Sequence, residues 1–357
     1  MQKRTFIKSL TVTTLAAGLL MGTAQAADTK VGFVYVGPVG DHGWTYRHDK
    51  GREQVEKELG VETTYVESVA EGADAERVIR KLATTGHNVI FTTSFGYMNP
   101  TVKVAKQHPD VMFEHATGYK RADNVSTYSG RFYEGRTIIG TIAGHMSKSG
   151  IVGYIASFPI PEVIRGINAF TIAMRKVNPN AEVKVVWVNP WYDPGKEGDA
   201  AKALIDQGAD IITQHTDSPA PLQVAEQRGV YAFGQASDMS AFAPKAQLTA
   251  IIDDWGPYYV ARVKAAMDGS WTSGDTWDGL DKGMVAMAPY GDAVPQDVRD
   301  AAEAVRKGII DGSLHSFQGP IKNQAGEVVA AEGEIIDDGT LLGMNYYVEG
   351  VQGEIPN

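Results

Sequence analysis

Short apolar, β-branched runs alternate with longer amphipathic stretches along most of this chain. Val31, Phe33, Val34 and Val36 mark a buried strand over 31–36, and the stretch that follows predicts a helix over 44–59. The pattern repeats, with strands over 62–67, 88–92 and 111–115 and helices over 73–84 and 100–107 between them. It then restarts: helices over 133–147, 162–177, 195–207 and 219–228 alternate with strands over 151–155, 183–188, 210–213 and 230–233. Such alternation is the mark of a parallel sheet covered by helices on both faces. Two successive sets predict an α/β protein with two doubly wound parallel-sheet lobes. Gly86 and Gly208 stand where helices should stop. After a strand over 249–252 and a helix over 256–267 the alternation fades. The pairs Asp268-Gly269, Asp311-Gly312 and Asp338-Gly339 in this tail read as hairpins or surface loops.

The N-terminus breaks that pattern. Lys3, Arg4 and Lys8 precede an apolar run through Leu10, Leu15, Leu19, Leu20 and Met21, which ends in Ala24-Gln25-Ala26. This is the layout of a signal peptide over 1–26, with a mature chain that begins at Ala27 and is exported to the periplasm. The run is too short to cross a bilayer of about 30 Å, so no stable membrane anchor is expected. The chain has no Cys, which excludes a lipid-modified cysteine anchor, disulfides, thiolate catalysis and Cys-based zinc sites. Residues 1–26 hold three positive charges and no negative ones, so their loss moves the formal net charge from −10 to −13. That sign argues against nucleic acid or an anionic membrane face as partner. At 43% hydrophobic residues the chain can build two cores without disulfides.

In open α/β sheets, ligands sit outside the carboxyl ends of the strands, and that rule selects the loops to inspect. They carry Gly43 and Trp44, then Tyr97, Phe158, Trp191, Asp217 and Asp238. Large aromatics on loops are costly to leave in water, at roughly 25 cal/mol per Å². Trp44, Tyr97, Phe158 and Trp191 recur at equivalent strand ends, so loops of both lobes would bring them into one cleft. A flat ligand stacked between rings uses their quadrupoles and their area together. Asp217 and Asp238 would accept hydrogen bonds from ring N–H or amino groups, although each also suits a helix cap. Asp41 and Asp193 are read as helix caps, the latter because Pro194 follows it. Trp187, Trp271 and Trp277 are read as structural.

The same loops resemble the basic-membrane-protein (BMP) family of ABC-transporter substrate-binding proteins. The likeness rests on residues 37–51, on HPDVMFEHATG at 108–118 and on RFYEGRTIIGTIAG at 131–144. It continues in VIRGINAFTIAMRKVNP at 163–179, DQGADII at 206–212 and LLGMNYYVEGVQGEIP at 341–356. The resemblance implies a type I periplasmic-binding-protein fold, two lobes joined by a hinge, and no catalysis. The lobes are expected at 27–124 plus about 253–315, and at 125–252 plus about 316–357. Nucleoside-binding members stack the base between aromatic side chains and hold the ribose with polar groups. Trp44 falls where the family commonly has a Phe. Ala236 stands where nucleoside binders carry an Asp that holds ribose, and Asp253 where a Lys is common. A free purine base, adenine first, is therefore favoured over a nucleoside.

Two rivals come from other classes. An exported nucleoside hydrolase would need an activated nucleophile, a carboxylate pair or a metal cluster. The chain offers no G-x-S-x-G elbow and no H-E-x-x-H helix, and only His42 and His215 fall on cleft loops. A sugar-binding protein would stack pyranose faces on Trp but would lean on forked donors, for which Arg165 and Asn189 are the nearby candidates. The expected mechanism is closure of the lobes on the ligand, followed by docking of a monomer on an inner-membrane ABC permease. The chain has no Walker motif, and no cofactor or metal is expected.

Overall fold

The computed structural model describes residues 29–356, so the signal-peptide reading lies outside the described residues. The first sheet is built from β1 (Lys30–Val34), β2 (Glu62–Val66), β3 (Val89–Thr92), β4 (Met112–Ala116) and β5 (Val125–Gly130). Helices α1 (Trp44–Leu59), α2 (Ala73–Thr84) and α3 (Met98–Ala105) connect these strands. The chain then crosses to the second lobe through α4 (Phe132–Met146). There β6 (Ile151–Ala156), β7 (Glu182–Trp187), β8 (Ile211–His215), β9 (Tyr231–Gly234) and β10 (Gln247–Asp253) alternate with α5 (Pro161–Val177), α6 (Pro194–Asp206) and α7 (Ala220–Arg228). α8 (Gly256–Asp268) and β11 (Asp275–Asp278) return to the first lobe. β12 (Val285–Met287) and α9 (Gln296–Ile310) then join the second, as do β13 (Ile321–Lys322), β14 (Val328–Ala330), α10 (Asp338–Leu342) and β15 (Val351–Gln352) in the tail.

The first sheet runs β11-β5-β4-β3-β1-β2 and is parallel throughout. The second runs β12-β10-β9-β8-β6-β7-β15, parallel except that β12 pairs antiparallel with β10. Both are doubly wound. Helix α2 shows how the pattern folds: Ala75, Val78, Ile79 and Leu82 fall on one helical face and are buried. They pack under Val34, Ile90 and Phe113 of the sheet.

The lobe boundaries differ from expectation at two places. The first crossing follows Gly130, because the polar stretch 125–130 is a strand of the first sheet. The last crossing lies at residues 279–284, where β12 leaves the first lobe to pair with β10, and α9 packs on α4. The Asp-Gly pairs of the tail are not hairpins. Gly269 and Gly312 end α8 and α9 with φ of 75° and 76°, and Asp338-Gly339 opens α10 behind the cap Asp337. Trp187, Trp271 and Trp277 spend their indole N–H groups on Tyr347, Glu114 and the Gly130 carbonyl respectively.

Candidate functional site

The carboxyl ends of the two sheets face each other across a narrow cavity. From the first lobe it is lined by Val36, Trp44, Ser94, Phe95 and Thr117, and from the second by Glu162, Trp191, His215, Asp217 and Gln235. Every one ends or follows a strand or opens a helix, as the strand-end rule requires.

Trp44 is placed by the start of α1. Asp41 accepts from the backbone N–H groups of Gly43, Thr45 and Tyr46 at 2.8–2.9 Å, which satisfies the free amides of that helix end. Burial still pushes the Asp41 carboxyl up to about 6, against the lowering effect of those three bonds. The Trp44 Nε1–H donates to the Thr93 carbonyl at 2.6 Å, and Trp255 and His48 meet its ring edge-on at 5.4 and 4.4 Å. The indole is thus held by protein before any ligand arrives. Trp191 comes from the loop after β7. Phe158 backs its ring at 5.2 Å, and its Nε1–H reaches across the cleft to Glu71 at 3.3 Å. Glu71 also accepts from the Ser94 hydroxyl at 2.6 Å.

Asp217 carries the electrostatic weight of the site. It is buried, and no protein donor is bonded to its carboxylate among the described residues. Burial raises its pKa well above the usual carboxylate range, and the acids Asp41, Glu197 and Asp253 raise it further. Burial lowers the pKa of His215, whose Nε2 lies 3.5 Å from Glu162 and whose Nδ1 has no partner. Gln235 accepts from Arg136 through Oε1, which leaves its amide nitrogen as a donor. The lining therefore offers aromatic faces, carboxyl oxygens and few donors. Among the described residues no group of three His, Asp or Glu is arranged to hold a metal ion.

Of the residues singled out in the sequence, Trp44, Trp191 and Asp217 come together on this cavity. Phe158 stands one layer behind Trp191, and Gly43 abuts the Asp217 backbone. Tyr97 does not reach the cleft. It is fully buried in the core of the first lobe, where its hydroxyl donates to the Val69 carbonyl at 2.5 Å. Phe95, two residues earlier, takes the place expected of it. Asp238 is also elsewhere: exposed, it ties its own loop by accepting from Ser240 N and Gln247 Nε2. Glu162, Glu71 and Gln235 were missed as site residues, because a single Glu or Gln near a helix start carries no spacing signal.

The lobes touch around the cavity. Ser237 donates to the His42 carbonyl, the His42 ring lies 4.6 Å from Phe242, and Arg47 donates to the Asp253 carbonyl at 2.6 Å. No helix among the described residues is long and apolar enough to cross a membrane.

Comparisons with known proteins agree with this architecture. Residues 28–314 match the family model described as ABC transporter substrate-binding protein, PnrA-like. A purine-binding protein of Brucella abortus is 58% identical over 97% of this chain and 100% of its own length. A putative ABC transporter glucose-binding protein of Haloferax volcanii is 38% identical over 94% of this chain and 83% of that one. Among solved structures, a solute-binding protein of Aeropyrum pernix superposes with TM-score 0.71 at 18% identity, covering 83% of this chain and 93% of that one. One from Conexibacter woesei gives 0.66 at 22% identity, covering 80% and 98%. These structures share the two-lobed type I periplasmic-binding-protein fold with it. The chain belongs to the Bmp family of PnrA-like ABC-transporter substrate-binding proteins.

Proposed function

We propose that this protein is the periplasmic receptor of an ABC importer and that it carries a purine nucleobase, adenine first, in the interlobe cavity. The observation that supports this most is the unpartnered, buried carboxyl of Asp217 on a wall shared with indoles from opposing lobes. The carboxyl lies on the cavity wall, where a ligand N–H gives it a hydrogen-bond partner. A planar heterocycle with N–H groups on its rim satisfies the acid and the rings together. The purine-binding name of the Brucella relative points the same way.

A base fits better than a nucleoside. Ala236, next to the lining residue Gln235, is fully buried and brings no carboxylate to the place where nucleoside binders of this family hold ribose. The lost bonds to the two hydroxyls are worth a few kcal/mol. Titration calorimetry with adenine, guanine, xanthine and adenosine tests this. Adenine is expected to bind at least tenfold tighter than adenosine, and the reverse order overturns the base assignment.

A hexose is the second reading, favoured by the name of the Haloferax relative. Against it, the forked donors such a ligand needs are engaged elsewhere: Arg165 donates to the Leu341 carbonyl and Arg136 to Gln235 and Thr213. Glucose belongs in the same titration. No reaction is proposed, since the family the chain belongs to is one of substrate-binding proteins; release of free base from added nucleosides would overturn this. The closed, liganded form is the one that docks on the permease.

A further inference from the structure

The base cavity has a larger neighbour. A second interlobe chamber of about 380 Å³ shares Phe95, Thr117 and Glu162 with it, so these three residues stand between the two spaces. Its far walls come from both lobes: Tyr119 and Trp277 on one side, Ile160 and Leu342 on the other. Tyr119 and Leu342 are among the few large apolar side chains left in water, at 65% and 51% exposure. Both stand on this chamber. Exposed apolar side chains gathered from opposing lobes around one concavity mark a binding surface.

The charges of the chamber are already engaged. Arg121 is paired with Asp275 at 3.1 Å. Arg165 donates to the Leu341 carbonyl at 2.6 Å, its guanidinium 4.9 Å from the Trp277 ring centre. Glu162 faces His215 at 3.5 Å. A phosphate would have to break one of these arrangements, and a sugar would find few open partners. A neutral, apolar group would not.

We propose that the chamber is a second subsite, which takes an apolar substituent carried on the edge of the purine that faces Phe95, Thr117 and Glu162. This rests on the base reading of the inner cavity and extends it: the ligand class includes purines bearing a neutral aromatic or aliphatic N-substituent. The ring stacks inside, and the substituent passes into the chamber towards Tyr119, Trp277 and Leu342.

The test is titration calorimetry of the intact mature protein with adenine, N6-benzyladenine and 9-benzyladenine, repeated on Leu342→Trp, which fills the chamber. At least one benzyl derivative is expected to bind the wild type within tenfold of adenine. Its affinity relative to adenine is expected to fall at least tenfold in Leu342→Trp. If adenine binds and both derivatives bind more than tenfold weaker, the subsite is refuted while the base reading stands. A ratio unchanged by Leu342→Trp refutes it as well. If no purine binds at all, the base reading fails, and the subsite with it.

Discussion

At the scale of single residues, recognition depends on how completely each ring is held before the ligand arrives. Trp44 has its N–H spent on Thr93 and packs at a near-right angle to Trp255 and His48, so the indole is fixed before a ligand arrives. Trp44→Ala should weaken adenine binding by about 1–3 kcal/mol, the range for stacking of a base on an aromatic side chain. Trp44→Phe should keep most of that contact. Calorimetry on both variants checks this, and an affinity untouched in Trp44→Ala would make the indole a packing residue. The strand-end rule made Trp44 and Trp191 legible because each follows or closes a loop that faces the other lobe. It failed for Tyr97 because a short 3-10 turn over Phe95–Tyr97 rotates the two rings apart. Phe95 goes to the cleft and Tyr97 into the core, and no spacing in the sequence distinguishes them. Asp238 failed for a related reason: an acid on a loop serves a neighbouring backbone amide as readily as a ligand.

At the scale of elements, the loop between β1 and α1 is a place where the two lobes touch. A methyl group built on Gly43 would run into the backbone carbonyl of Asp217, while one built on Gly40, in the same loop, would meet nothing within 4 Å. Gly43→Ala should therefore obstruct closure and lower adenine affinity at least tenfold, chiefly through faster dissociation. Gly40→Ala should bind as the wild type does. Stopped-flow release of adenine from the two variants separates these outcomes, and equal rates would remove the closure role of Gly43. Most strands and helices were readable from their apolar periodicity. β5 was not, because Val-Ser-Thr-Tyr-Ser-Gly reads as a loop. Two of its hydroxyls find distant partners: Thr127 donates to Asp275 at 2.6 Å, and Ser126 accepts from Arg262 at 2.8 Å. Both partners lie more than a hundred residues further along the chain, beyond any local window. The crossing at 279–284 was hidden in the same way, since β12 is defined by its antiparallel pairing with β10 and not by its own three residues.

At the scale of the whole molecule, three chain crossings join the lobes, and they are bonded to one another. Arg131 N donates to the Asp278 carbonyl at 2.8 Å, and Asp254 N to the Met284 carbonyl at 2.9 Å. Glu134 sits within this bundle of crossings: its carboxylate accepts from Leu280 N at 2.8 Å, and a side chain at Gly279 would collide with it. Burial raises the Glu134 carboxyl from 4.5 to about 7, although the Leu280 bond and Arg131 pull the other way. Because the folded value lies above the unfolded one, the stabilisation is complete below about pH 4.5 and is lost as pH rises through about 7. Glu134→Gln keeps an acceptor for Leu280 N and removes the ionisation. Melting temperatures of the wild type and the variant should therefore converge at pH 5 and separate by pH 9, with the variant higher there. A gap of about 1–3 kcal/mol is expected, allowing for the part of the group still in contact with water, or a few degrees for a protein of this size. Parallel curves would assign the pH dependence to other groups. A separation of the stated sign would show that the neutral carboxyl is the form on which the linked crossings are built.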